Sequence, residues 1–226
     1  IGALQYATIT RPDICYSVNK LSQFMQNPLS EHRIALKRVL RYLQGTKNLG
    51  IILKSVKHFS LQCFSDADWE NDVDDRRSVS GYCVYLGDNI ISWCTKKQQT
   101  TSRSSTEAEY RALASATAEV SWIETMMEEL GLSLTRKSVI WCDNKSTVSL
   151  SLNPIQHSRT KHFEIDLHFV RERTQNGKLV ICHIPAYYQR ADVLTKALST
   201  KNFVRLREEL KVVDGGGNEK GNPSSN

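Results

Sequence analysis

A mixed α/β layer fold is what this 226-residue sequence predicts. Three observations point to it. Beyond residue 58, the short stretches FSLQCFS, SGYCVYLG and NIISWCTKK are rich in aromatic and β-branched residues, and Gly87-Asp88-Asn89 makes a tight turn between the last two. A long helical stripe follows, with Glu109, Leu113, Ala116, Val120, Ile123, Met127 and Leu130 recurring at helical spacing. Two more apolar runs, SVIWC at 138–142 and KLVICHIP at 178–185, are then separated by helical periodicity. Antiparallel strands, a helix, and then strands alternating with helices build a layered α/β core.

The elements follow in order. In PDICYSVNKLSQFMQNP, Ile14, Val18, Leu21 and Met25 lie on one helical face, Asp13 is placed to cap the start, and Asn27-Pro28 ends it. SEHRIALKRVLRYLQG predicts a second helix from Ser30 to Gly45, with Leu36, Val39, Leu40 and Leu43 on its apolar face. Arg33, Lys37 and Arg41 are spaced by four and form a basic ridge on it, open both to solvent and to nucleic-acid phosphate. The three hairpin-like strands come next. The long helix starts at the capping box Ser104 to Glu107 and runs to Gly131. SVIWC reads as a buried strand, DNKSTVSLSL and the stretch around HFEIDLHFVRERT as helices, and KLVICHIP as the fifth strand. QRADVLTKAL and TKNFVRLREEL close the chain as helices. Residues 212–226, glycine-rich from Gly215, read as a disordered tail. The units expected are therefore a helical segment 1–58, an α/β domain 59–198, a C-terminal helix 199–211 and that tail.

At 40% hydrophobic residues the chain can bury one good core with a smaller appendage. It holds no run of about 18 apolar residues and no charged-then-apolar leader, so neither a membrane span nor a signal peptide is expected. The start at Ile1 suggests a piece of a longer polypeptide. Cys15, Cys63, Cys83, Cys94, Cys142 and Cys182 are scattered without a CxxC pair, and read as reduced core residues of an intracellular protein. The net charge of +6 is uneven. Residues 1–60 carry nine Lys/Arg against two Asp/Glu, whereas residues 61–198 carry sixteen against eighteen. A basic arm beside an acidic body suggests a polyanionic partner.

The acids carry the functional signal. FSDADWENDVDD, residues 64–75, puts six carboxylates directly after an apolar run. A solvated loop explains most such runs. Other carboxylates also sit in costly places. Glu109 shares the apolar stripe of the long helix, where a charge needs a partner or a metal, although the dipole at a helix start also favours an acid. Asp143 ends the strand SVIWC, where open sheets place ligands, and it could equally cap the next helix. Asp192 lies in the first turn of a helix, and Asp66 at the end of the first strand. All four fall at a strand end or a helix start. Gathered together they would suit two Mg²⁺ ions about 3.5–4 Å apart, the arrangement that serves in-line phosphodiester hydrolysis.

The series SDADW, DDRRSVSGY, SSTEAEYRAL, WCDNKS, HSRTKHFEIDLHFVRE and ADVLTK resembles the ribonuclease H region of copia-type LTR retrotransposon Pol polyproteins. RPDICYSV and EHRIALKRVLRYLQGT look like the end of the reverse transcriptase and its tether, so the resemblance covers residues 1 to about 211. It implies a ribonuclease H-like fold, a five-stranded mixed sheet flanked by helices. It implies an endoribonuclease that cuts the RNA strand of RNA–DNA hybrids with two Mg²⁺ ions, Mn²⁺ being able to substitute. Matched by motif, Asp66, Glu109, Asp143 and Asp192 are the expected catalytic and metal-holding acids. Ser104, Ser105, Thr106, Arg159, Lys161 and His162 join the basic ridge as expected nucleic-acid contacts. The implied partners are the hybrid and the upstream reverse transcriptase, and the implied place is a cytoplasmic particle or the nucleus.

Two departures accompany the resemblance. The loop PAYYQR lacks the histidine that cellular ribonucleases H usually carry before the last acid, and His183 lies just upstream of it. Val73-Asp74-Asp75 is superficially similar to a polymerase YxDD motif, but Arg76-Arg77 follows where an apolar strand should, so no polymerase centre is read here. Asp68 is a candidate supporting acid, whereas Asp72, Asp74 and Asp75 read as loop. Two rival readings are a non-catalytic remnant, which would be marked by loss of an acid, and an integrase-like domain, which would bring a zinc module. The sequence shows neither mark.

Overall fold

The computed structural model describes residues 1–69, 75–153 and 161–215, with the backbone alone at Lys161 and His162. Its centre is a five-stranded sheet of β2 (Leu61–Asp68), β3 (Val79–Leu86), β4 (Asn89–Lys97), β5 (Ser138–Cys142) and β6 (Leu179–His183), ordered β4-β3-β2-β5-β6. The hairpin-linked β2, β3 and β4 are antiparallel, while β5 runs parallel to β2 and β6 parallel to β5. This order and these directions are the ribonuclease H-like fold. Gly87 takes φ +59° in the two-residue turn between β3 and β4, a conformation that glycine reaches without steric cost.

Period-two alternation divides the sheet between two layers. Leu61, Cys63, Val84, Ile140 and Ile181 face α4 (Ser105–Glu129) and α6 (Lys161–Gln175), against Leu113, Ala116, Val120, Phe163 and Val170. Phe64, Cys83 and Tyr85 face the opposite way, onto Val193 and Leu194 of α7 (Asp192–Thr195), Leu206 of α8 (Thr200–Glu209) and Leu210 just beyond it. α5 (Lys145–Leu152) packs beside α4 and α6.

The long helix forms as its caps predict. Ser104 Oγ accepts the Glu107 N–H at 3.2 Å, and Gly131 leaves the helix at φ +71°. The stripe is buried from Glu109 to Met127, but Leu130 falls past the last turn and is 65% exposed.

The first 58 residues differ from the expected pair of helices. There are three: α1 (Gly2–Ala7), α2 (Cys15–Ser22) and α3 (Ser30–Gly45), around a small core of Leu4, Ile14, Val18, Leu21 and Val39. Asp13 does not cap α2. It lies in a 3-10 turn, Pro12–Ile14, where its carboxylate accepts from Arg11 Nε at 2.9 Å, Arg11 Nη2 at 2.7 Å and the Tyr42 hydroxyl at 2.6 Å. A buried acid gains more from a bidentate guanidinium than from one backbone N–H. Met25 and Leu40, expected on apolar faces, are exposed because α2 stops at Ser22 and α3 buries only a narrow stripe.

The C-terminus also departs from expectation. Val212–Asp214 is not disordered tail but a strand, β7, pairing antiparallel with β1 (Leu49–Ile51) from the first segment. Val212 is fully buried, and this apolar contact outweighs the glycine-rich composition that follows. Residues 216–226 lie outside the described residues. The predicted helix QRADVLTKAL shrinks to the single turn α7, because Gln189 is drawn into the core. The six cysteines are free. Among the described residues no helix is long and apolar enough to cross a membrane.

Candidate metal centre

The structure brings the four singled-out acids to one end of the sheet. Asp66 comes from β2, Glu109 from the start of α4, Asp143 from just beyond β5, and Asp192 from the start of α7. Carboxylate oxygens of Asp66, Asp143 and Asp192 lie within 4.8 Å of one another, and Glu109, Asp143 and Cys142 satisfy the same limit. Asp143 belongs to both groups and joins them.

Local sequence explains each position. Ala67 packs on Ala108 and Ala112, and these small side chains let the start of α4 approach β2 closely enough to carry Glu109 in. Asn144, not Asp143, caps α5: its side chain accepts the Thr147 N–H at 3.0 Å. The capping explanation for Asp143 therefore fails, and its carboxylate is left for other use. α7 is held down by Gln189, fully buried, whose amide donates to the Ser65 carbonyl at 2.9 Å and accepts from the Ala191 N–H at 3.2 Å.

The electrostatics are those of a crowded acidic site. Burial, then the charges of Asp66 and Asp143, push the Glu109 carboxyl up to about 10, although a hydrogen bond from the Ala67 backbone offsets part of this. Burial and the nearby Asp66 raise Asp192 to about 6. Burial raises Asp66 as well, against the opposing pull of Lys196 and of the Thr195 hydroxyl, which donates to it. The Lys196 ammonium lies 3.0 Å from Asp192 Oδ1 and 3.4 Å from Asp66 Oδ2. Burial disfavours its charge, but the two acids outweigh burial and raise its pKa.

Glu109 Oε2, Asp143 Oδ1 and Asp192 Oδ1 are buried without a hydrogen-bond partner among the described residues, although Asp192 Oδ1 has the Lys196 ammonium 3.0 Å away. Leaving such acceptors unpaired is costly, and a bound cation would satisfy them. The donor set bears on the kind of cation that would suit it. Burial raises the Cys142 thiol well above its ordinary value, and the thiol donates weakly to the Asn144 carbonyl at 3.9 Å. The four acids offer carboxylate oxygen, which hard cations such as Mg²⁺ prefer. The residues fit the metal.

The other expected contacts are distributed differently. Ser104 and Ser105 are exposed at the N-terminus of α4, the turn before Glu109, and Thr106 beside them accepts from the Thr147 hydroxyl at 3.3 Å. Arg33, Lys37 and Arg41 are exposed along α3, which packs chiefly on α2. Arg159, and the side chains of Lys161 and His162, lie outside the described residues, as do Glu70, Asp72 and Asp74. Asp75 pairs with Lys97 at 2.9 Å at the edge of the sheet, in keeping with a loop role. His183 is exposed at the end of β6, in register with Cys142.

No family model matches the chain. The chain is similar to the retrovirus-related Pol polyprotein from transposon RE1 of Arabidopsis thaliana, 51% identical over 212 residues that make up 94% of this chain. The chain belongs to the retrovirus-related Pol polyproteins of transposons. A Pol polyprotein from transposon TNT 1-94 of Nicotiana tabacum is 36% identical over 92% of it. The chain spans 14% and 16% of the lengths of these two Pol polyproteins. Among solved structures this Pol segment is similar to LC11-RNase H1 in complex with RNA/DNA hybrid, with a TM-score of 0.45 and 14% identity, over 60% of this chain and 94% of that one.

Sequence reasoning missed three residues that shape the Pol site: Gly81, Gln189 and Lys196. Gly81 is paired with Asp66 across β2 and β3, beneath α7. A Cβ there would sit 2.7 Å from Thr195 Cγ2 and 2.9 Å from Leu194 Cβ. The glycine thus provides the clearance that seats Thr195 and Asp192 against Asp66. Gly81→Ala is expected to push α7 outward, costing about 1–3 kcal/mol of stability by overpacking and separating Asp192 from Asp66. Urea unfolding, combined with a Mg²⁺ titration of the melting temperature, checks this; an unchanged response to both would leave Gly81 without a positioning role.

Proposed function

We propose that this chain is the endoribonuclease domain of its polyprotein. It hydrolyses the RNA strand of RNA–DNA hybrids during reverse transcription, in series with the upstream polymerase. The observation that carries this reading is the convergence of four carboxylates from four elements, three of them with a buried oxygen that lacks a hydrogen-bond partner among the described residues. A folded protein does not keep such a cluster for stability, because like charges about 4 Å apart repel by roughly 4 kcal/mol at an effective dielectric of 20.

Asp66, Glu109, Asp143 and Asp192 would hold two Mg²⁺ ions. Mg²⁺ held there would supply activation of a water nucleophile and charge stabilisation at the departing oxygen. The chain's own groups provide the frame. Asp66 is anchored in the central strand and oriented by the Thr195 hydroxyl, so its carboxylate cannot turn away from the site. Asp143 bridges the two halves of the cluster. The exposed first turn of α4, with Ser104 and Ser105, faces outward beside Glu109 and offers hydroxyls and a helix N-terminus to a phosphate backbone. The basic first segment supplies sequence-independent attraction.

The experiment is direct. The purified chain is incubated with end-labelled RNA–DNA hybrid, duplex RNA and duplex DNA, with Mg²⁺ and with EDTA. Cleavage is expected on the RNA strand of the hybrid alone, because only the hybrid pairs a 2′-hydroxyl strand with a flexible DNA strand, and it is expected to stop in EDTA. Equal cutting of duplex RNA, or cutting in EDTA, would remove the proposal.

A further inference from the structure

The Lys196 ammonium divides the acid cluster into two unequal halves. It sits 3.0 Å from Asp192 Oδ1, and 3.5 Å and 3.4 Å from the two oxygens of Asp66. The Asp66–Asp192 half thus already holds an internal cation. Among the described residues Glu109 Oε2, Asp143 Oδ1 and Asp192 Oδ1 all lack a hydrogen bond, but Asp192 Oδ1 has the Lys196 ammonium as its ion-pair partner at 3.0 Å, so the two oxygens of the Glu109–Asp143 half are the ones left with neither. Asp66 is shut in, its side chain 1% exposed, whereas the Lys196 side chain is 33% exposed and leaves the end of α7 on extended backbone. A four-carbon stem attached there can swing outward without disturbing the sheet.

We propose that Lys196 is a tethered counter-ion that occupies the place of one of the two metal ions and must be displaced before that ion binds. This rests on the metal-dependent reading above. An ammonium within hydrogen-bond distance of Asp66 and Asp192 competes for the same lone pairs as a divalent ion, and its charge repels that ion. The two positions therefore fill in order. The Glu109–Asp143 side is taken first, since it relieves two unpaired oxygens and meets no resident cation. The Asp66–Asp192 side is taken only when Lys196 withdraws. In the absence of metal the lysine keeps the cluster from being a bare set of repelling acids.

The test uses the full chain without nucleic acid. Mg²⁺ binding is followed by calorimetry, and by the Mg²⁺ dependence of the melting temperature, for the parent, Lys196→Met and Lys196→Arg. The methionine keeps the stem and loses the charge. It is expected to lower the melting temperature in EDTA and to shift the weaker Mg²⁺ transition to concentrations on the order of tenfold lower. Lys196→Arg, which keeps the charge, should titrate like the parent. Should Lys196→Met not fold in EDTA, Lys196→Gln carries the same comparison, because its amide can still donate to a carboxylate. If the parent responds to Mg²⁺ and the neutral variants titrate at the parent's concentrations, Lys196 is only a structural ion pair and the competition is overturned. If the parent itself binds no Mg²⁺, the metal reading of the site falls and this proposal falls with it.

Discussion

Asp143→Asn is expected to bind an RNA–DNA hybrid as the parent does and to leave it uncut, with the cleavage rate reduced at least about a hundredfold. Loss of an outer-sphere partner of a metal ligand already costs about 10–100-fold, and a ligand shared between both halves of the cluster should cost more. The helix beyond it does not depend on the substitution, since Asn144 supplies the cap of α5. Without metal, the change removes one member of a repelling set while keeping its shape. The variant should therefore melt at or above the parent's temperature in EDTA and lose most of the stabilisation that Mg²⁺ gives the parent. Filter binding, gel cleavage and paired melts measure the three quantities. Near-normal cleavage would take Asp143 out of the site.

Glu109→Gln carries the largest expected effect of pH. The folded-state pKa of Glu109, about 10, lies far above its ordinary 4.5. A raised carboxyl binds its proton more tightly in the folded than in the unfolded state. Its contribution to stability is thus complete below pH 4.5 and is lost progressively as pH rises towards 10. In EDTA the parent should lose stability steadily between pH 5 and pH 9, within that window. Asp192, raised to about 6, adds to the fall at its lower end. Glutamine carries no titrating proton, so Glu109→Gln should show a flatter profile and exceed the parent at pH 8 by on the order of a few kcal/mol, while failing to cut hybrid. Melting temperatures across this range in EDTA test it. A parent profile that is flat or rises with pH would show that the Glu109 carboxyl is not held protonated by its surroundings.

Much of this was legible from local physics. The strands of the central sheet announce themselves by β-branched and aromatic content, and the turn at Gly87 by its composition. The long helix is bounded by Ser104 and Gly131, whose capping chemistry depends only on near neighbours. Asp66, Glu109, Asp143 and Asp192 stood out because each placed charge where a strand end or an apolar stripe makes it costly, and that cost can be read from a few flanking residues.

What the tertiary structure alone decided is which of these residues meet, and what holds them there. Gly81 is unremarkable in sequence and becomes necessary only because α7 lies across β3. Gln189 looked like the start of a closing helix, but its amide closes the hydrogen-bonding needs of Ser65 and Ala191 inside the core. Asp13 looked like a helix cap until Arg11 and Tyr42 converged on it. Val212 looked like the start of a tail until β1 gave it a partner. Lys196 carried no role of its own in the ADVLTK stretch, and only the folded chain sets its ammonium between Asp66 and Asp192. Spacing and capping are set within a few residues of chain. Proximity between distant segments is set by packing, and packing has no local signature.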